Sequence, residues 1–139
     1  MRESSRRHVV FSLVNLSVGG AERVVSRLAD ALAGHRTDML LFEEVIDYAC
    51  DGEVTTLGAD LHADSKLGRL AALAKAFGAT AAYKTSVHPD ATVSSLIWPN
   101  VINGLTSGPE QTVVMVHSTM SEALAHASAP ARAVIERLI

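Results

Sequence analysis

Residues 9–25, VVFSLVNLSVGGAERVV, constrain the fold more than any other stretch of the chain. Residues 9–14 are apolar apart from Ser12, a short polar turn follows, and Gly19-Gly20 opens at once into a segment with helical periodicity. A strand that is apolar along nearly its whole length suits a parallel sheet covered on both faces. The start of a helix leaves backbone N–H groups without intrahelical partners and carries a partial positive charge. Adjacent glycines there let the backbone come close to an anion, so the loop is a candidate phosphate cradle. A tight turn with positive φ, or close packing of strand against helix, would call for glycine equally.

The rest of the chain repeats the alternation. Ala21, Val24, Val25, Leu28, Ala29 and Leu32 recur at helical spacing, with Arg23, Arg27 and Asp30 turned mostly outward and Gly34 as a stop. Residues 37–42 read as a second strand, ended by Glu43-Glu44, and a short strand is expected near 53–57. Asp64 or Ser65 can cap the next helix, which is expected to bury Leu67, Leu70, Ala71, Ala74 and Phe77 and to stop at Gly78. His88-Pro89-Asp90 leads into a strand at 91–96, then a short helix at 98–105 closes at Ser107-Gly108-Pro109. A β-branched strand at 111–116 ends at His117, residues 120–127 read as helix or loop, and a helix is expected from Pro130. Strands separated by helices imply βαβ crossovers and one Rossmann-like α/β domain over 1–139, a parallel sheet flanked by helices on both faces.

Composition narrows the function classes. A chain of 139 residues with 48% hydrophobic and 19% charged residues can build one soluble core. Aromatics are only 4%, which leaves Ala, Val and Leu to fill it. The formal net charge of −3 gives no general attraction to nucleic acid or anionic lipid, which leaves only a local patch to provide one. Cys50 is alone, so no intrachain disulfide can form and a reducing compartment is the default. In such a compartment the Asn15-Leu16-Ser17 sequon carries no meaning. Residues 1–8 are basic, but the apolar run after them is too short for a signal peptide or a membrane span. His8, His35, His62, His88 and His126 have neither ligand-like spacing nor a cysteine partner, so no metal site is expected.

With the glycine loop, the HPD step and the VVMVHS strand in place, the chain resembles the N-terminal half of the GT-B glycosyltransferases. The specific likeness is to the large retaining family four that builds capsular and cell-wall polysaccharides. Gly19-Gly20-Ala21-Glu22-Arg23-Val24 resembles that family's loop between first strand and first helix. Pro89-Asp90 before an apolar strand is similar to its lysine-proline-aspartate entry to the fourth strand. The segment 113–118 resembles the following strand, which ends in a histidine facing the interdomain cleft. The resemblance implies a fold of two Rossmann-like domains with the reaction between them. The N-terminal one mainly holds the acceptor, and the other holds the nucleotide-sugar donor with paired glutamates in an E-x7-E motif. No such second domain or motif stands in these residues, so the resemblance implies half an enzyme, without turnover by itself. It implies no cofactor or bound metal. It also implies a glycan or lipid-linked acceptor, and a cytoplasmic site of action with peripheral contact at the inner face of the membrane.

The resemblance places His117 near the donor sugar as the catalytic candidate, a hydrogen-bond donor that orients it. A histidine satisfied by a backbone carbonyl is the alternative. Gly19 and Gly20 would approach the donor diphosphate or the transferred sugar. Arg23, in the first helical turn, does not suit the positive helix end, and either meets an anionic ligand or is merely solvated. Ser118 and Asn15 are further substrate-binding candidates, with loop and cap roles as the alternative. A dinucleotide-binding domain competes with this reading, because Glu43 or Glu44 ends the second strand where a ribose-binding acid belongs. Against it, SVGGAE is not G-x-G-x-x-G. A non-enzymatic α/β interaction module is a third reading. Ala131, Val134, Ile135, Leu138 and Ile139 share one helical face. That face packs on this domain, meets further chain, or pairs with a second copy in a homodimer.

Overall fold

The computed structural model describes residues 6–116 and Ala129. Five parallel strands form one sheet: β1 (His8–Leu13), β2 (Arg36–Leu41), β3 (Val54–Thr56), β4 (Ala91–Ser95) and β5 (Gln111–Met115). Their spatial order is β3-β2-β1-β4-β5. Helices α1 (Gly20–Ala31), α2 (Lys66–Val87) and α3 (Ile97–Leu105) make the crossovers. This is the α/β Rossmann-like sheet that the alternation predicts. The β2–β3 connection is the exception, because it carries no helix.

The period of two along β1 decides which side each helix covers. Val9, Phe11 and Leu13 point to one face and pack with Met39 and Leu41 against Val25 and Ala29 of α1. Phe42 lies in a second cluster with Ala59, Ala72 and Ala76, and with Ile102 of α3. So α1 lies on one face, and α2 and α3 lie on the other. The loop before β3 approaches β2 so closely that a Cβ on Gly52 would collide with the Thr37 carbonyl, which makes glycine obligatory there.

Helix α2 departs from expectation at two points. It starts where predicted, with Ser65 Oγ accepting from the Gly68 N–H at 2.9 Å. It then runs through Gly78 to Val87, and its buried residues are Ala72, Ala76, Thr80 and Lys84. Leu67, Leu70 and Phe77 are exposed, as are Ala71 and Ala74. The stripe of larger side chains was the wrong one, because the buried stripe packs against Phe42, Ala59 and, from α3, Ile102, where small residues fit. A single Gly costs a long helix only about 1 kcal/mol, too little to end it.

Lys84 is buried because α3 and the following turn supply its partners. Its Nζ donates to Asn103 Oδ1 (2.7 Å), Asn103 O (3.2 Å) and Thr106 O (3.3 Å). Glu110 Oε1 stands 2.8 Å from the same nitrogen as the counter-ion. Burial alone would push the Glu110 carboxyl up, but Lys84 and the Gly108 N–H outweigh it and hold it below the usual range. Asp38 is similar. Burial raises its carboxyl, and the Glu53 N–H, His8 and Arg36 together bring it below the ordinary value. Burial, with Asp38 and Glu53 nearby, pushes the Tyr83 phenol up to about 12.

Candidate functional site

The strand order locates the crevice. The chain steps outward from β1 to β3 on one side, then returns to place β4 against the other side of β1. Connections leaving β1 and β4 therefore pass to opposite faces, which opens a gap between their carboxyl ends. Open α/β sheets bind ligands at this switch point. The β1–α1 loop with Gly19-Gly20 borders it, opposite the Ser95–Leu96 junction that leads into α3.

The β1–α1 loop is rigidly built. Leu16 is fully buried. Its N–H donates to Val45 O at 2.8 Å, and its carbonyl accepts from the Asp47 N–H at 2.8 Å. The Glu43 N–H donates to Val14 O at 2.8 Å, and Asp47 Oδ2 accepts from the Val18 N–H at 3.1 Å. Asn15 Oδ1 accepts from the Ser17 N–H at 3.1 Å, while its Nδ2 donates to Glu43 Oε2 at 3.2 Å. Glu43 Oε1 in turn accepts from the Leu61 N–H at 3.3 Å. Asn15 thus braces the loop. The Glu43 carboxylate is already engaged, which counts against its use as a ribose-binding acid.

This bracing ends at the start of α1, where no side chain supplies a capping hydrogen bond. Gly19 is the N-cap. The first helical bond runs from the Arg23 N–H to Gly19 O at 3.1 Å. Among the described residues, the N–H groups of Gly19, Gly20, Ala21 and Glu22 have no acceptor. Helix α2, by contrast, has Ser65 in this role.

The glycines here are not demanded by the backbone. Gly19 has φ −161° and ψ 167°, extended values that any residue adopts. Gly20 is helical, and nothing lies within 4 Å of where its Cβ would stand. Among the described residues, positive φ in a glycine belongs to Gly58. Neither a left-handed turn nor close strand–helix packing explains the pair. A Cβ on Gly19 would meet Glu22 Oε2, the mobile end of a side chain folded back over the helix start. Arg23 is exposed and makes no ion pair among the described residues.

The other border of the crevice had no sequence signal. Leu96 has φ 75° and ψ 163°, a region nearly exclusive to glycine, which costs on the order of 1–3 kcal/mol. A leucine gives no hint of such a conformation. The buried hydroxyls of Ser12 and Ser95 are without hydrogen-bond partners, near the carboxyl ends of β1 and β4. His117 and Ser118 lie outside the described residues, as do residues 120–127, the helix expected from Pro130 and the apolar face from Ala131 to Ile139. No group of three or more His, Cys, Asp or Glu side chains converges among the described residues. None of the described helices is long and apolar enough to cross a membrane.

A cavity of about 630 Å³ opens at the opposite, amino-terminal edge, bordered by Arg7, His88, Asp90 and Ser107. Its floor is the Lys84–Glu110 pair. The Lys84 ammonium is shared among Asn103, Thr106 and the Glu110 carboxylate. That arrangement ties α2 to the end of α3 rather than holding a ligand.

No protein-family model matches the sequence, and no curated protein matches it. Among solved structures, the chain is similar to a sucrose-phosphate synthase from Thermosynechococcus elongatus, a GT-B glycosyltransferase. The TM-score is 0.65 at 19% identity, over 91% of this chain and 37% of that one. The chain therefore spans well under half the length of that neighbour. The likeness bears on the fold, which it shares.

Proposed function

We propose that the chain is the acceptor-side domain of a GT-B glycosyltransferase, of the retaining family-four type that assembles capsular and cell-wall polysaccharide. A sugar passes from a nucleotide-sugar donor to a glycan or lipid-linked acceptor in the cytoplasm. The donor is held mainly by a second domain facing the carboxyl edge of the sheet. The uncapped first turn of α1 meets the donor's diphosphate or the sugar being transferred. Its fixed N–H dipoles stabilise negative charge without reorganising during the reaction. Arg23 adds a mobile positive charge, and Asn15 holds the loop in place. His117 orients the donor sugar, and Ser118 contacts acceptor hydroxyls.

One observation carries this reading: Gly20 occupies open space in a helical conformation that would favour alanine. A fold that gains nothing from glycine leaves close approach of a ligand as its reason. The GT-B neighbour supports the same assignment at the level of fold.

Calorimetric titration of the chain with UDP, UDP-glucose, GDP-mannose, uridine and NAD tests it. Millimolar binding that requires the diphosphate, without sugar transfer by this chain alone, is the expected result. NAD binding far tighter than any nucleoside diphosphate would favour the dinucleotide reading. Transfer at an ordinary enzymatic rate by the isolated chain would refute the division of labour.

A further inference from the structure

Helix α2 contains a glycine for which the single chain has no use. Gly78 stands inside a 22-residue helix, exposed, with nothing within 4 Å of where its Cβ would be. Glycine is a poor choice in a helix interior, so its reason lies outside this fold. By the 3.6-residue period, Leu67, Ala74, Gly78 and Thr85 fall on one outward line, within about 40° of one another. Leu70 and Phe77 flank that line on one side, and Ala71 and Ala82 on the other. All of these residues are exposed, Leu67 by 77%, Leu70 by 63% and Phe77 by 42%. Large and very small side chains thus share one uncharged face. The nearby cations turn from it: Lys75 donates to Gly58 O at 3.0 Å, and Arg69, on the side toward the sheet, to Ala63 O at 3.3 Å. The start of α2 is also mismatched with itself. Its first turn holds Lys66 and no acid, although a helix start carries partial positive charge.

We propose that this face is an isologous interface, in which α2 pairs antiparallel with α2 of a second copy of the chain, the two-fold axis passing beside Ala74. Phe77 then meets the partner's Leu70 and Ala71, and Leu67 meets the partner's Ala81. Ala74 and Gly78 let the two helices approach closely. Lys66 comes near the carboxyl end of the partner's helix, whose carbonyls carry partial negative charge, which is the complement its own helix lacks. A centre without charged side chains is usual for an interface. Helix α2 is about 33 Å long by its 1.5 Å rise, and the exposed Ile97 and Leu105 of α3 lie on the same side of the sheet. Two copies paired along it bury on the order of 1,000 Å², enough for a specific, weak dimer. Helix α2 leaves the carboxyl end of β3, so antiparallel pairing turns the two carboxyl edges to opposite ends. Both crevices at Gly19-Gly20 stay open.

Sedimentation velocity of the full chain from roughly 1 to 300 μM should show a monomer–dimer equilibrium with Kd about 10 μM, the weak end for such an interface. Leu70→Arg should leave the chain monomeric throughout. Gly78→Leu should weaken the dimer roughly tenfold or more by forcing the helices apart. Both positions are exposed in the single chain, and an unchanged far-ultraviolet circular dichroism spectrum confirms that the variants fold. Lys66→Glu should weaken association about two- to fivefold. In a Cys50→Ser background with a copper–phenanthroline oxidant, Ala74→Cys should crosslink into a covalent dimer across the two-fold axis. Lys66→Cys, about 24 Å from its symmetry mate by the helix rise, should not. A chain that stays monomeric at the highest concentration overturns the proposal. So does a dimer that neither Leu70→Arg nor Gly78→Leu disturbs, or one that crosslinks through Lys66→Cys and not through Ala74→Cys. Monomers that instead sediment with phospholipid vesicles, and lose this in Leu70→Arg, would assign the face to a bilayer and overturn it too. None of these readouts involves a nucleotide, so the proposal stands or falls apart from the glycosyltransferase reading.

Discussion

Gly20→Ala separates what folding wants from what a ligand wants. Gly20 is the first residue of α1, helical in conformation, with nothing within 4 Å of the new methyl group. Replacing glycine by alanine at a compatible site stabilises by about 0.4–1 kcal/mol, mainly by restricting the unfolded chain. At a first-turn position the lower half of that range applies, so about 0.5 kcal/mol is expected. For a domain of this size that raises Tm by about 2 °C. The same methyl stands in the approach to the uncapped N–H groups. Losing one charge-assisted hydrogen bond there costs roughly 1.5–3 kcal/mol, a tenfold or greater loss of diphosphate affinity. Differential scanning calorimetry and UDP titration of the same sample give both numbers. A lower Tm would mean that the open geometry around Gly20 is wrong. A higher Tm with unchanged UDP affinity would mean that the helix start is not the anion site.

Other outcomes follow from the charges. Glu22→Gln removes the carboxylate that folds back over Gly19, and titration should show UDP binding two- to fivefold tighter, about 0.3–1 kcal/mol. Lys84→Ala strands the buried Glu110 carboxylate and should cost about 3–5 kcal/mol in urea unfolding, whereas Lys84→Met with Glu110→Leu should recover most of it. Glu110 and Asp38 have folded-state values below their unfolded ones, 4.5 and 3.8. Their contribution is complete above those values and is lost as pH falls through the lower folded values. Tm should therefore hold between pH 7 and 5 and drop below about pH 4, as thermal scans in acid can check.

The sheet was legible because the strands advertise themselves. β1 is largely apolar, β2 and β4 are short mixed runs set off by glycine, acidic and proline punctuation, and β5 is β-branched. All five strands appear within one or two residues of expectation. The turn from β1 into α1 at Gly19-Gly20 was legible for the same reason, since a glycine pair after an apolar run punctuates the chain. What failed to show was anything that depended on a distant partner. Lys84 reads as a solvated cation until Asn103, Thr106 and Glu110 are folded around it. The buried face of α2 was missed on the same account: alanines and a threonine look like filler beside Leu67, Leu70 and Phe77, and only the distant Phe42, Ala59 and Ile102 favour them. Leu96 was invisible because strain belongs to the crossover geometry and not to the residue type. Asn15 and Glu43 were singled out as ligand contacts, while their bond to each other joins loops 28 residues apart.

The most direct experiment follows backbone amide resonances of the chain as UDP is added. An anion seated on the uncapped turn of α1 predicts that Gly19, Gly20, Ala21 and Glu22 shift together, with Arg23 close behind, while Lys84 and Glu110 at the opposite edge stay still. Shifts confined to the amino-terminal cavity, or to Glu43 and Glu44 with the glycine amides unmoved, would place the ligand elsewhere and contradict the assignment.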